Sequence, residues 1–180
     1  MIAVKLDFDD ADLVKFLEAM GPAQIQVAIN RAVRKTAQWV RTHLLRKVKD
    51  DTGIARKVIA YRAQLYNKAW RSGGEGGKAV KVWFGVDPLK ADKIDTPAKT
   101  AKGYRVKKWD FEGGFMPPTR KGRLFQRVGK ERLPIKRATV EIDEQGTAAF
   151  NEIAGLIPAR MRELALQELR YEMHKAMGTI

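Results

Sequence analysis

Residues 22–49 read PAQIQVAINRAVRKTAQWVRTHLLRKVK. Ile25, Ile29, Ala32, Val33, Thr36, Val40, Leu44 and Val48 recur at steps of three or four, the period of one helix face. Pro22 fits the first turn, where its missing N–H is not needed. A helix of about 26 residues reaches about 40 Å. Arg31, Arg34, Lys35, Arg41 and Lys49 fall mainly off the stripe. His43 sits beside the stripe near the C-terminal end, where a polar edge residue meets the negative end of the helix dipole.

Upstream, Ile2, Val4 and Leu6 alternate as in a short strand or extended arm. Asp9 or Asp10 can cap a helix running to about Met20, with Leu13, Phe16 and Leu17 on one side. Downstream, Asp51-Thr52-Gly53 is a turn, followed by an expected short basic helix over about Ile54–Leu65. RSGGEGGK at 71–78 is expected to be a flexible loop or a hairpin tip, and it lacks the frame of a phosphate loop. AVKVWFGV at 79–86 predicts a strand, as do 104–109, 124–128 and 135–142. Residues 87–103 and 111–122 read as surface loops. A last helix is expected over about Thr147–Met177, with Phe150, Ile153, Ala154, Ile157, Met161, Leu164, Ala165 and Leu169 on its apolar face. Pro158 predicts a kink or a break there. The order predicts an α+β chain of one domain, residues 1–180. Long N- and C-terminal helices would pack on a small, mainly antiparallel sheet, with flexible loops about 71–78, 87–103 and 111–122.

The chain has 180 residues, no cysteine and two histidines, His43 and His174. That excludes disulfides, thiol nucleophiles and cysteine-ligated metal centres, and leaves little for histidine relays. No apolar run approaches the ~20 residues of a membrane span, and the N-terminus lacks the pattern of a signal peptide. A soluble protein made in the cytoplasm is therefore expected, with no membrane contact. The net charge is +14. Residues 22–49 carry seven basic residues and no acids, and residues 99–137 carry thirteen basic and three acidic ones. Such blocks predict an anionic partner or an assembly that handles one.

No chemistry-bearing constellation stands out. The acidic run Asp7, Asp9, Asp10, Asp12 lacks the central glycine of a calcium loop, with Leu13 at the tight-turn position. A magnesium-dependent nuclease at Asp7, Asp9 and Asp12 is the enzyme alternative. There is no nucleophile elbow, HExxH or dinucleotide fingerprint. No enzyme activity, metal or cofactor is expected.

Three stretches are less generic: AINRAVRKTAQWVR at 28–41, TGIARKVIAYRAQL at 52–65, and GGFMPPTRKGRLFQRVGKERLPIKRATVEI at 113–142. Together they resemble the prophage minor tail protein Z family, the lambda-like tail completion proteins. The most specific part is LFQRVGKERLPI at 124–135, following a Gly-aromatic-apolar loop. The resemblance covers about 22–142. It implies a fold shared with phage head–tail connector and tail-completion proteins. It also implies a structural role at the head-proximal end of the tail, around the DNA channel, and no catalytic residue. The implied partners are further copies in a six-fold ring, the tail terminator protein, the end of the tail tube or tape measure, and the head-neck proteins. The implied locations are the virion tail and, during assembly, the host cytoplasm.

Within that role Lys107, Lys108, Arg120, Lys121, Arg123 and Arg127 are the candidate residues lining a DNA channel by sequence-independent phosphate contact. Phe115, Met116 and Pro117 form a candidate apolar contact with a neighbouring subunit, the alternative being that Phe115 folds back over the sheet. A competing reading is a free-standing, sequence-independent DNA-binding protein of phage or bacterial origin, with Tyr104 and Trp109 inside the basic block.

Overall fold

The computed structural model describes residues 20–69, 78–129 and 131–176. The expected N-terminal strand and capped helix, the acidic run at 7–12 and the Gly-rich segment 71–77 lie outside the described residues.

Helix α1 spans Pro22–Thr52. At its start the Gln24 side-chain oxygen accepts the Gly21 N–H at 3.2 Å. At its end Gly53 adopts φ 75° and donates its N–H to the Lys49 carbonyl at 2.7 Å, a left-handed cap that favours glycine. Two hydroxyls that the helix buries are satisfied within it: Thr36 donates to the Ala32 carbonyl at 2.8 Å and Thr52 to that of Val48 at 2.5 Å. The buried face runs through Ala28, Ala32, Thr36, Ala37, Val40, Leu44, Leu45 and Val48. Ile25, Ile29 and Val33, expected on the stripe, flank it half-buried.

The partner is α4, Asp143–Ala176, packed antiparallel. Arg31 pairs with Glu172 and Lys35 with Glu168; further along, Lys47 meets Glu152 at 3.0 Å. Asp143 and Glu144 in the first turn complement the helix dipole. Of the kink or break expected at Pro158, the break does not occur, since Pro158 lies inside one helix. The turns on either side are held by burial of Ile153 and Met161, which outweighs one missing donor.

The core joins the C-terminal half of α1 to the β-rich part. Leu44, Leu45 and Val48 meet Ile54, Ile59, Leu89, Ile94, Val106, Phe111, Leu124, Val140, Ile142 and Ala149 in one cluster. The remainder of the helix pair carries two small clusters of its own, around Ala28–Leu169 and Ala32–Met161.

The helix expected over Ile54–Leu65 is only α2, Arg56–Ile59, and one 3-10 turn. The chain then becomes strand β1, Ala63–Ala69. Arg41 from α1 donates to the Ala63 carbonyl at 2.8 Å and reaches that of Ala60 at 3.5 Å. It thereby takes carbonyls that a continuing helix would use itself. β1 pairs antiparallel with β2, Lys78–Phe84, from Ala63↔Phe84 to Ala69↔Lys78.

β3 is Leu89–Lys90 and α3 is Ala91–Ile94. A meander follows: β4 at Ala98–Thr100, β5 at Gly103–Val106 and β6 at Trp109–Glu112. β7, Phe125–Arg127, pairs with β8, Ile135–Arg137, and β9, Thr139–Val140, returns to pair with β3. The α+β class holds, with long helices at both ends. Among the described residues the single small sheet is instead four antiparallel sheets of two or three strands. Residues 87–103 are not a bare loop, because Leu89, Ala91 and Ile94 are buried in the core and anchor β3 and α3. Among the described residues no helix is long and apolar enough to cross a membrane.

The ion pairs on the helix pair are lopsided. Glu168 is 5% exposed at its side chain, whereas its partner Lys35 is 52% exposed. Removing the cation strands a buried carboxylate. Removing the carboxylate leaves a lysine that reaches water. Lys35→Ala is expected to cost about 1–3 kcal/mol and Glu168→Leu to stay within about 1 kcal/mol of neutral, by urea denaturation of both variants.

His43 stacks on Trp39, ring centroids 4.4 Å apart. Burial holds its pKa below the ordinary value, and the charges of Arg46 and Arg160 add to that. The folded state thus favours neutral His43, and protonation as pH falls through the region of 6.5 opposes folding. Stability is expected to decline between about pH 7 and 5, with a smaller decline in His43→Gln, measured as the denaturation midpoint across pH.

Candidate polyanion and partner surface

The basic block 99–137 folds as two antiparallel units, the β4–β6 meander and the β7–β8 pair. Its candidate residues divide into groups with different surroundings.

Lys107 and Lys108 form the two-residue turn between Val106 and Trp109, with Lys107 at φ 51°. Both side chains reach the C-terminal end of α1. The Lys107 ammonium donates to the Gly53 carbonyl at 2.7 Å, and that of Lys108 lies 3.5 Å from the Asp51 carbonyl. Lys108 also sits 5.2 Å above the Trp109 ring. These cations complement the negative end of the helix dipole and fasten the meander to α1. They remain exposed, but their charge is partly committed within the chain.

Arg120, Lys121, Arg123 and Arg127 surround a different feature. Phe115 and Phe125 exchange two backbone hydrogen bonds, each 2.9 Å, and their rings lie 6.3 Å apart. The Arg120 guanidinium covers the Phe125 ring at 5.4 Å and that of Arg127 covers the Phe115 ring at 5.9 Å. A 3-10 turn at Pro118–Arg120 and a turn around Gly122 connect them. All four cations are exposed, and no carboxylate pairs with any of them among the described residues. This is an electropositive edge built on an aromatic base.

Phe115, Met116 and Pro117 are half-buried, and Met116 packs against the central cluster. The segment 111–122 is therefore not a free apolar tip. Phe115 folds back onto β7, the alternative open at the sequence level. Tyr104 and Trp109 are likewise half-buried against the core, which leaves them poor stacking platforms.

An open groove of about 380 Å³ lies over the meander, lined by Lys102, Tyr104, Arg105, Asp110, Phe111 and Glu112 among others. Its charge is largely self-neutralised. Arg105 grips Asp110 through bonds of 2.5 and 2.9 Å, and that grip holds the Asp110 carboxyl below its ordinary range. Among the described residues no group of three His, Asp or Glu could hold a metal ion.

Two attachments that sequence reading missed fix the β7–β8 unit to the rest. Arg137 on β8 grips Asp92 on α3 at 2.9 and 2.5 Å, with Asp92 4% exposed. The Ala138 N–H donates to the Leu124 carbonyl at 2.9 Å, and the Ala91 N–H donates to the Ala138 carbonyl at 3.0 Å. Arg137 had no distinguishing mark within the basic run. Asp92, one of three aspartates in a segment read as loop, gave no signal that it was its partner. Compared with known proteins, the chain matches no family model, no curated protein and no solved structure.

Proposed function

We propose that this chain is a structural subunit of a long-tailed phage or prophage, a tail completion protein. It would assemble as a ring at the head-proximal end of the tail and join tail to neck around the DNA channel. The fold is suited to a connector: a helix pair about 45 Å long, from 31 residues in α1, is joined to a β-rich part of short antiparallel sheets. The observation that carries the reading is the run 113–142. It resembles the minor tail protein Z family in sequence, and it folds as one fastened unit presenting Arg120, Lys121, Arg123 and Arg127 without carboxylate partners among the described residues. A channel passed by DNA calls for such charge, because its contact with phosphates is independent of sequence. In this reading the other partners are the tail terminator, the end of the tail tube or tape measure, and the head-neck proteins.

The test is association. Purified protein mixed with the tail terminator and with tails is expected to bind at near-physiological salt, and negative-stain images of any large species are expected to contain rings with a central hole. A protein that associates with neither itself, the terminator nor tails sinks the reading.

The same four cations favour a second reading, sequence-independent binding of duplex DNA by the free protein. That reading expects micromolar or tighter duplex binding whose affinity falls steeply with salt. The Arg120→Ala, Lys121→Ala, Arg123→Ala, Arg127→Ala variant is then expected to lose most of it. Negligible binding at low salt removes this alternative.

A further inference from the structure

The face of the β1–β2 hairpin turned away from α1 takes no part in the function proposed above. Tyr61, Tyr66 and Trp83 are exposed by 59%, 45% and 39%, a concentration of large rings unlike the rest of the surface. The β1–β2 register brings Tyr66 and Trp83 onto one face, with Tyr61 in the turn just before β1. Gln64 lies opposite Trp83, and Tyr66 lies opposite Lys81. Residues two apart on a strand share a face, so Gln64, Tyr66, Lys81 and Trp83 form one patch. The Gln64 amide donates to the Tyr61 backbone carbonyl at 3.2 Å, and its oxygen accepts the Tyr66 hydroxyl.

The rings are held in place. A Cβ at Gly85 would lie 2.6 Å from the Trp83 ring, so the indole rests on bare glycine backbone. The Tyr66 hydroxyl is fixed by Gln64, and the Arg62 guanidinium lies 5.1 Å from the Tyr61 ring centre. Arg62 is in turn held by Asp87 at 3.1 Å.

The charge is mainly positive. Between Ile54 and Asp87 the sequence holds seven Lys or Arg and two acids, Glu75 and Asp87, and Asp87 is paired with Arg62. Lys81 lies within the patch and is exposed, and Arg56 and Lys57 are exposed just before Tyr61. A second copy meeting this patch with its own would set like charges together, so an anionic occupant fits better. Two aromatic surfaces beside a cation, with a third exposed ring just ahead of the strand, fit unstacked bases on a phosphate backbone, whereas duplex DNA keeps its base faces hidden.

We propose that the β1–β2 hairpin face binds single-stranded nucleic acid, with Trp83 and Tyr66 stacking on bases and Lys81 contacting phosphate. The site is separate from the Arg120–Arg127 edge and does not rest on the tail-completion reading.

The test is fluorescence anisotropy of labelled oligothymidylate, with a duplex of equal length as competitor, on the full chain at low and near-physiological salt. The single strand is expected to bind at least about tenfold tighter than the duplex. Trp83→Ala and Tyr66→Ala are each expected to weaken it by about fivefold or more, and Trp83→Phe by less. Lys81→Glu, on an exposed side chain that leaves the rings in place, is expected to weaken binding and flatten its salt dependence. Circular dichroism identifies a variant that has lost its fold. The proposal is overturned if single strand and duplex bind alike. It is also overturned if folded Trp83→Phe and Lys81→Glu both bind as the parent does, or if only the four-cation variant of the 120–127 edge loses binding. Light scattering supplies a further contrary result: self-association abolished by Trp83→Ala, with no oligothymidylate binding, would make this face a protein interface instead.

Discussion

Arg137→Ala is expected to lower unfolding stability by about 3–5 kcal/mol, read from denaturant melts with the slope unchanged. The reason is what it leaves behind. The Asp92 side chain is 4% exposed, and the two bonds from Arg137 hold it in a fork. Without the guanidinium, a buried carboxylate has lost its counter-charge. The same fork raises the Arg137 pKa above its ordinary value, so the guanidinium keeps its charge at any pH at which the protein would be handled. Asp92→Ala is expected to cost less, because the Arg137 side chain is 22% exposed and can turn to water. An Asp92→Leu, Arg137→Met double variant is expected to recover much of the loss, since apolar replacements remove both desolvation costs. If Arg137→Ala melts like the parent, the fork is not what fastens β8 to α3.

Gly103→Ala is expected to cost about 2–5 kcal/mol by the same measurement. Gly103 opens β5 at φ +151°, a backbone region that L side chains rarely adopt. A Cβ there would lie 2.3 Å from the Phe111 carbonyl oxygen. That oxygen is backbone, and it accepts the Gly114 N–H at 3.0 Å, so it cannot swing away without breaking the turn that leads to Phe115. Two penalties therefore coincide, strain and overlap. Gly113→Ala is the informative control: φ is +64° but no heavy atom stands within 4 Å of the added carbon, so only the strain applies. A Gly103→Ala protein no less stable than Gly113→Ala would mean that the meander shifts to accommodate the methyl group.

The long helices were legible because they bury one face over many turns, so the period survives local noise. Even there, Ala32, Thr36, Val40, Leu44 and Val48 of the expected stripe are buried, whereas Ile25, Ile29 and Val33 only flank it and Ala28 and Ala37 take the buried positions beside them. Hydrophobicity finds the apolar side of a helix, but a close partner helix selects the small residues on it. The short helix was misread past Ala60 because the deciding contact comes from Arg41, about twenty positions earlier. Residues 87–103 were misread because Leu89, Ala91 and Ile94 are scattered among Pro, Lys and Asp, and their burial depends on the surfaces they meet. The candidate site had the same limit. Its basic residues were visible from composition, but nothing local separates Lys107, committed to the end of α1, from Arg123, exposed and without a carboxylate partner among the described residues. The hairpin rings gave no periodic signal, because Tyr66 and Trp83 share a face only once the β1–β2 register is known.

The α1–α4 pair has an unequal distribution of support along its length. One half is set into the main cluster. The other, around Ala28 and Leu169, is held by two small separate clusters and by the Arg31–Glu172 and Lys35–Glu168 pairs. Backbone amides should therefore exchange with solvent deuterium on a gradient, fastest toward the Pro22 end of α1 and the Ala176 end of α4, and slowest near Leu44 and Ala149. Opening of that tip without loss of the core gives the chain a segment that can adjust its helix crossing to whatever it meets, while the β-rich part keeps its shape.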